Sequence, residues 1–313
     1  MSFLLVIKVA VLLPEVPHYD TAPSLSAIDA TELTAQRFRR ELLEPMRPCL
    51  IRGAVRHWPA FNKWKDVDYL RQCVGNPHVV VTTAPLVQPP HSPVNDEAHR
   101  QGAFFDLLAE LTSGRRGHYV LHAPLRSNSP LSPLAEDVLG FPFLKMVRPP
   151  FSYPPKRAYL YLDSYTDWHY HFTDETLMCQ VKGTKEVLLL PPDRVSFDLL
   201  NSIRKSTGAM WNVDVRQFPQ WANIRPFRAL VSPGDALYIP TFWWHAVESV
   251  DGEFGWTVAW CWGTPLHLFD PRLPGVRRTL HTSLGSRYAP LALAAAAWSL
   301  LSLKRLGRPP YAV

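Results

Sequence analysis

Thr176-Leu177-Met178-Cys179-Gln180-Val181-Lys182-Gly183-Thr184-Lys185-Glu186-Val187-Leu188-Leu189-Leu190-Pro191-Pro192 is the stretch that decides the fold. Two β-favouring runs, Thr176–Lys182 and Glu186–Leu190, meet at Lys182-Gly183-Thr184, and Pro191-Pro192-Asp193 ends the second. Runs of this kind, bounded by glycine and proline, predict strands joined by a turn. Upstream, Ala158–Leu162 is a third strand. Downstream, Ala229–Ser232 enters a Pro233-Gly234-Asp235 turn, Ala236–Pro240 leaves it, and Gly255–Trp262 is a long last strand. Short strands at this spacing predict a sandwich or barrel whose core covers about residues 158–262.

Composition points the same way. Proline stands at 31 against 15 glycines, a density that breaks long helices and suits short strands with proline-bounded loops. Hydrophobic residues make up 47% and charged residues 19%, which excludes a disordered chain. The balance of 33 Lys+Arg against 27 Asp+Glu is mildly basic and scattered, so nucleic acid is not an expected partner. The four cysteines, at 49, 73, 179 and 261, form no CxxC pair and read as reduced, small apolar residues. There is no internal repeat, no GxGxxG fingerprint and no P-loop.

Farther out, the pattern predicts a helix over 29–45, capped by Asp29 or Thr31, and a buried strand at Cys49–Gly53. A helix around Val67–Cys73, a strand at 79–83, a loop over 85–102, a helix at Phe104–Leu111 and a strand at His118–His122 follow. A proline-rich connection, 124–156, leads to the barrel. The chain thus divides into an N-terminal segment with its helix (1–44), a domain (45–265) and a tail (266–313). The apolar run Met1–Pro14 lacks the basic start and small-residue cleavage site of a signal peptide. In the tail, Leu291–Leu303 is 13 apolar residues long, short of the ~20 that span a bilayer. It reads as a packing helix through which a homodimer could form, and no membrane span is expected. The expected location is cytoplasmic, or nuclear in a eukaryote.

The chemistry concentrates at His169 and His171, with His245 following 74 residues after His171. In extended backbone, residues i and i+2 share a face, so both imidazoles of the pair reach one point. Two close ligands and one distant one, on neighbouring strands, form the kind of facial triad that leaves coordination positions open. Trp243-Trp244, just before His245, reads as packing at the barrel mouth.

His169-Tyr170-His171, the Gln180–Lys185 run, Leu188–Pro192, Pro233–Pro240 and Trp243–Ser249 resemble the JmjC or cupin-like Fe(II)/2-oxoglutarate hydroxylases. Arg216-Gln217-Phe218-Pro219 resembles an insert of the asparaginyl-hydroxylase-like members, and Arg47–Gly53 with Trp58-Pro59 resembles the family's lead-in. The resemblance implies a mainly β fold with flanking helices, a double-stranded β-helix of the jelly-roll type. It implies Fe(II) as metal and 2-oxoglutarate as cosubstrate. His169 and His245 match the family's histidine ligands, and Lys185 matches the lysine that pairs with the distal carboxylate of 2-oxoglutarate. Thr166 matches a threonine that helps hold that carboxylate, and Tyr119 resembles a tyrosine on a neighbouring strand.

Two positions depart from the family pattern. The third ligand position holds His171 where the pattern is HxD, which removes one negative charge from around the metal. Ala259 stands where many members carry a polar residue near the cosubstrate. Asp167 and Asp174 are close in sequence and offer substitute carboxylates outside the i+2 register. The expected activity is an oxygenase that hydroxylates a protein side chain or a small molecule. Two alternatives stay open: a non-catalytic binding or scaffold protein on this fold, and a three-histidine dioxygenase independent of 2-oxoglutarate.

Overall fold

The structure is a computed structural model that describes residues 12–84 and 98–276 and a few positions between 289 and 301, with short gaps at 115–116, 146–147, 151–152, 173, 208–209, 211–212, 265–266, 268–269 and 271. Both the apolar Leu291–Leu303 stretch as a whole and the run before Leu12 lie outside the described residues.

The chain begins with β1 (Ala27–Asp29), the single helical turn α1 (Ala35–Phe38), β2 (Cys49–Arg52), α2 (Pro59–Lys63) and α3 (Val67–Val74). It continues through β3 (His78–Ala84), β4 (Ala98–Ala103), α4 (Phe104–Thr112) and β5 (His118–Pro124). Eight strands then follow with one helix among them: β6 (Lys156–Leu162), β7 (Tyr165–His169), β8 (Asp174–Lys182), β9 (Lys185–Leu190), α5 (Arg194–Thr207), β10 (Phe227–Val231), β11 (Ala236–Ile239), β12 (Trp244–Ser249) and β13 (Gly255–Gly263).

These last eight make two facing sheets. The order β10-β9-β12-β7 forms the smaller one, and β11-β8-β13-β6 is the centre of the larger. Successive strands cross from one sheet to the other at every step but one, since β9 and β10 pair within the smaller sheet, and this is the winding of a jelly roll. The larger sheet is extended by β2 and β1 on one side and by β5, β3 and β4 on the other. Period-2 alternation assigns the faces. On β8, Leu177, Cys179 and Val181 point outward into a core shared with Trp58, Trp64, Leu70 and Phe104 of the N-terminal helices. Met178 points inward, to a second core with Val187, Leu189, Leu237 and Val247 between the sheets. The outer face of the small sheet, Leu188, Leu190, Trp244 and Ala246, is covered by Phe197, Leu200 and Ile203 of α5 and by Leu13 and Val16 of the N-terminal segment.

Several expectations are corrected. The helix over 29–45 is broken: Asp29 caps a short 3-10 turn, Thr34 caps α1, and a π-turn covers Arg39–Leu43. Leu33 is extended between them, because each cap side chain accepts a backbone N–H and starts a new turn. The loop expected over 85–102 ends earlier, since Ala98–Ala103 pairs with β3 as a strand. Further elements were not anticipated: the short β1 and α2, the helix α5, capped by Asp193, whose Oδ1 accepts from Ser196 N at 2.9 Å, and the strands β7 and β12. Among the described residues no helix is long and apolar enough to cross a membrane. All four cysteines are free thiols, and three are buried.

Candidate metal centre and the pocket beneath it

β7 and β12 pair antiparallel and bring His169 opposite His245. One step farther along, Val247 pairs with Thr166, so β7 carries one residue more than β12 between the two rungs. That bulge has a visible cause. Asp167 Oδ1 accepts from Trp168 N at 2.7 Å, its Oδ2 accepts from Met210 N at 3.0 Å, and Arg204 of α5 donates to the Trp168 carbonyl at 2.5 Å. An extra residue inverts the facing of everything beyond it. Thr166 is thereby turned to the same inward face as His169, although the two are three residues apart.

His171 lies just beyond the end of β7. Its carbonyl accepts from Phe242 N at 2.8 Å, which ties the His169–His171 segment to the turn leading into β12. Phe242 holds φ at +66°, a left-handed conformation costly for a non-glycine residue, and the turn it completes delivers His245.

The three imidazoles converge: one nitrogen from each of His169, His171 and His245 lies within 4.8 Å of the others. Which nitrogens face the centre follows from the hydrogen bonds on the far side of each ring. His169 Nδ1 meets the Asp167 carbonyl at 2.8 Å and His245 Nδ1 meets the Trp243 carbonyl at 3.0 Å. A carbonyl accepts only, so both rings carry their proton on Nδ1 and leave the Nε2 lone pair free. His171 Nδ1 meets Thr176 Oγ1 at 2.6 Å, and that hydroxyl in turn lies 3.6 Å from Cys261 Sγ. Each ring thus has the outer support that metal-binding histidines require. Burial drives the pKa of all three down, that of His171 to about 3, so the rings are neutral donors at pH 7. His245 is buried and the other two are half-buried. The residues fit a divalent metal held by three neutral nitrogens.

Below this centre, Lys185 opens β9 and points inward with Val187 and Leu189. It is buried, and its Nζ lies 3.9 Å from the centre of the Tyr161 ring. Tyr161 is fixed from behind, where Gln180 Nε2 donates to its hydroxyl at 2.6 Å. Gly255 has no alternative here, since a Cβ on it would stand 2.3 Å from that hydroxyl. Among the described residues the Lys185 ammonium makes no ion pair, and burial lowers its pKa to about 7. Ser249, its cross-strand partner, and Ser164, whose carbonyl accepts from Ser249 N, both carry buried hydroxyls without a partner among the described residues. A buried cation next to two orphaned hydroxyls is costly unless an anion fills the space. The pocket floor fits the carboxylate of a ligand whose other end reaches the metal.

The cupin-like domain family matches residues 35–265. The chain belongs to that family. Jumonji C domain-containing protein 5 of Drosophila melanogaster is 26% identical over 79% of this chain and 60% of its own length. Lysine-specific demethylase JMJ32 of Arabidopsis thaliana is 26% identical over 71% of this chain and 76% of its own. Bifunctional peptidase and (3S)-lysyl hydroxylase JMJD7 of Homo sapiens is 26% identical over 76% of this chain and 81% of its own.

Within this cupin-like fold, His169, His171, His245 and Lys185 share the inward face, and Thr166 is turned to that side by its pairing with Val247 but is exposed at the sheet edge. Tyr119 does not. Its neighbours Leu121 and Ala123, on the same side of β5, belong to the outer core, and its ring packs there and folds over Gly117. His118 takes the inward position instead, with its ring 4.5 Å from that of Tyr165. Neither aspartate joins the histidines as a ligand in the cluster of three. Asp167 is committed to the bulge, which explains why it stays out, while Asp174 is buried at the start of β8. Trp243 and Trp244 are fully buried, and Trp243 Nε1 donates to the Met46 carbonyl at 2.9 Å, so they pack. Sequence reasoning missed Thr176, Tyr161, Ser164 and Ser249. The signal for Thr176 was present: it shares the even, inward register of β8 with Met178 and Gln180.

Proposed function

We propose that the protein is an Fe(II)/2-oxoglutarate-dependent oxygenase that hydroxylates a protein side chain or a small molecule. The reading rests above all on Lys185, a buried amine that makes no ion pair among the described residues, set beneath three converging neutral imidazoles. When bound, iron and 2-oxoglutarate supply the oxidising chemistry. The chain's part is to hold and exclude. His169, His171 and His245 would hold the metal through Nε2, each oriented from its Nδ1. Lys185, with Ser164, Ser249 and Thr166 on the inward face, would anchor the distal carboxylate and set the cosubstrate's direction. The apolar ring of Val187, Leu189 and Val247 keeps water from the space between. The names of the relatives, a demethylase and a lysyl hydroxylase among them, support an oxygenase and leave the substrate undetermined. A three-histidine dioxygenase that uses no 2-oxoglutarate is favoured by the Thr176 support of His171, but it gives Lys185 no anion.

The test is an anaerobic Fe(II) titration followed by visible absorption, with and without 2-oxoglutarate. A metal-to-ligand band that needs both components, and that Lys185→Met abolishes at the same 2-oxoglutarate concentration, is the expected result. Iron binding indifferent to 2-oxoglutarate would transfer the protein to the three-histidine reading. Failure to retain any divalent metal would make it a binding module.

A further inference from the structure

Arg157 occupies the inward face of β6, and its position in the barrel can be read from the strand register. Tyr161 lies under Lys185 at the pocket floor; four residues earlier on the same strand is Arg157. On the opposing sheet, Ser249 pairs with Lys185, and four residues earlier on its strand is His245. β6 runs down to the floor, turns, and returns upward as β7 to the histidines, so both counts climb towards the metal. Arg157 therefore stands on the opposite sheet, on the histidine side of the pocket floor. Tyr153 spans the interval, with its ring 5.7 Å from that of His171 and 5.8 Å from the Arg157 guanidinium.

This guanidinium has no ion pair among the described residues, and its buried Nε meets no acceptor. Its polar neighbour is the neutral Tyr159 phenol. Asp174 approaches the same Cys261 thiol as Arg157. Ala259, the cross-strand partner of Arg157, carries only a methyl group and is half-buried, so it puts no bulky side chain beside the guanidinium. A partly buried, always-charged fork without a carboxylate is an unbalanced cost unless a ligand balances it.

We propose that Arg157 anchors an oxyanion, a carboxylate or a phosphate, carried by the substrate. The proposal rests on the oxygenase reading, since it assigns the substrate class of that same site. The substrate is favoured over the cosubstrate as the anion's source because the distal cosubstrate anchor lies at the opposite, closed end. Arg157 instead looks to the mouth, where Tyr153 is 45% exposed. The inward face also continues from it through His122, whose ring is 5.8 Å from that of Tyr159, to the exposed His99. No acidic side chain interrupts that track among the described residues of β5 and β4.

The test is site-resolved modification of Arg157 by phenylglyoxal, read by peptide mass spectrometry on the metal-loaded protein. Acetate and inorganic phosphate serve as probes, against chloride at equal ionic strength. With metal and 2-oxoglutarate present, Arg157 should react, and phosphate or acetate should slow it at least about fivefold. Protection by 2-oxoglutarate alone would assign the arginine to the cosubstrate and overturn the proposal. So would an Arg157 that neither probe protects, or one that never reacts because solvent does not reach it. The same protection measured with metal alone separates this outcome from a failure of 2-oxoglutarate to bind. As a second measurement, Arg157→Gln should keep its melting temperature and lose the rise that phosphate gives the parent protein. A fall in melting temperature without any anion would make the residue structural and also overturn the proposal.

Discussion

At the scale of the residue, the informative pair is His171 and Thr176. An aspartate at the third ligand position would need no partner for a ring N–H, whereas an imidazole needs an acceptor that fixes its tautomer. Thr176 Oγ1, at 2.6 Å, is that acceptor, and its own proton can pass towards Cys261 Sγ at 3.6 Å. Thr176→Val should therefore weaken Co(II) binding, measured from its visible absorption, by about ten- to a hundredfold. Thr176→Ser should hold near the parent value. The decisive comparison is in a His171→Asp background, where Thr176→Val should cost nothing further. An equal loss in both backgrounds would reduce Thr176 to a packing residue. The histidine pair was legible in the sequence because i and i+2 spacing is a local signal. Thr176 could be placed on the inward face from the period of its strand, but its pairing with His171 could not, and Ser164, Ser249 and Arg157 were not legible, since their part depends on what stands opposite.

At the scale of the element, the strands with clear alternation or β-branched runs were legible, and β7 and β12 were not. Tyr165–His169 is short and polar, and its bulge breaks the period that a reader of sequence looks for. α5 was overlooked behind Pro191-Pro192, although Asp193 and the spacing of Phe197, Leu200 and Ile203 mark a capped amphipathic helix. The seam between β8 and β11 makes a prediction of its own. Glu175 is fully buried there, accepts from the Tyr238 hydroxyl at 2.8 Å and Thr241 N at 3.3 Å through Oε2, and leaves Oε1 without a partner among the described residues. Burial raises its pKa from 4.5 to about 7. The folded protein thus holds a proton that the unfolded chain releases. This contribution to stability is complete below about pH 4.5, falls as pH climbs, and is gone above about pH 7. Glu175→Gln removes the titration and offers an N–H₂ near the orphaned Thr241 hydroxyl. In urea unfolding it should be more stable than the parent at pH 8 by about 2–3 kcal/mol, with the gap closing towards pH 4.5. A gap independent of pH would contradict this account.

At the scale of the whole molecule, the N-terminal segment works as a strap across the small sheet. Glu248 and Glu186 sit side by side on that sheet's outer face. Glu248 accepts from the backbone N–H groups of Leu12 and Leu13, while Glu186 takes the Tyr19 hydroxyl at 2.6 Å and the Arg228 guanidinium. Leu13 and Val16 are buried beneath the strap against Trp168 and Leu188. A chain starting at residue 23 should lose roughly 3–6 kcal/mol of stability for the two apolar side chains alone. An unchanged denaturation midpoint would show that the strap is dispensable. The sheet order carries a further consequence. Among the described residues β7 hydrogen-bonds to no strand but β12, so it is an open edge, and the third histidine stands on its only neighbour. The unfolded chain keeps just the local His169–His171 pair; the complete triad exists only once the edge is shut. An ion bound there acts by mass action as a latch on that edge. Chelation should release the 165–171 segment to amide exchange before any other part of the small sheet, so the ion's occupancy sets how often that edge is open.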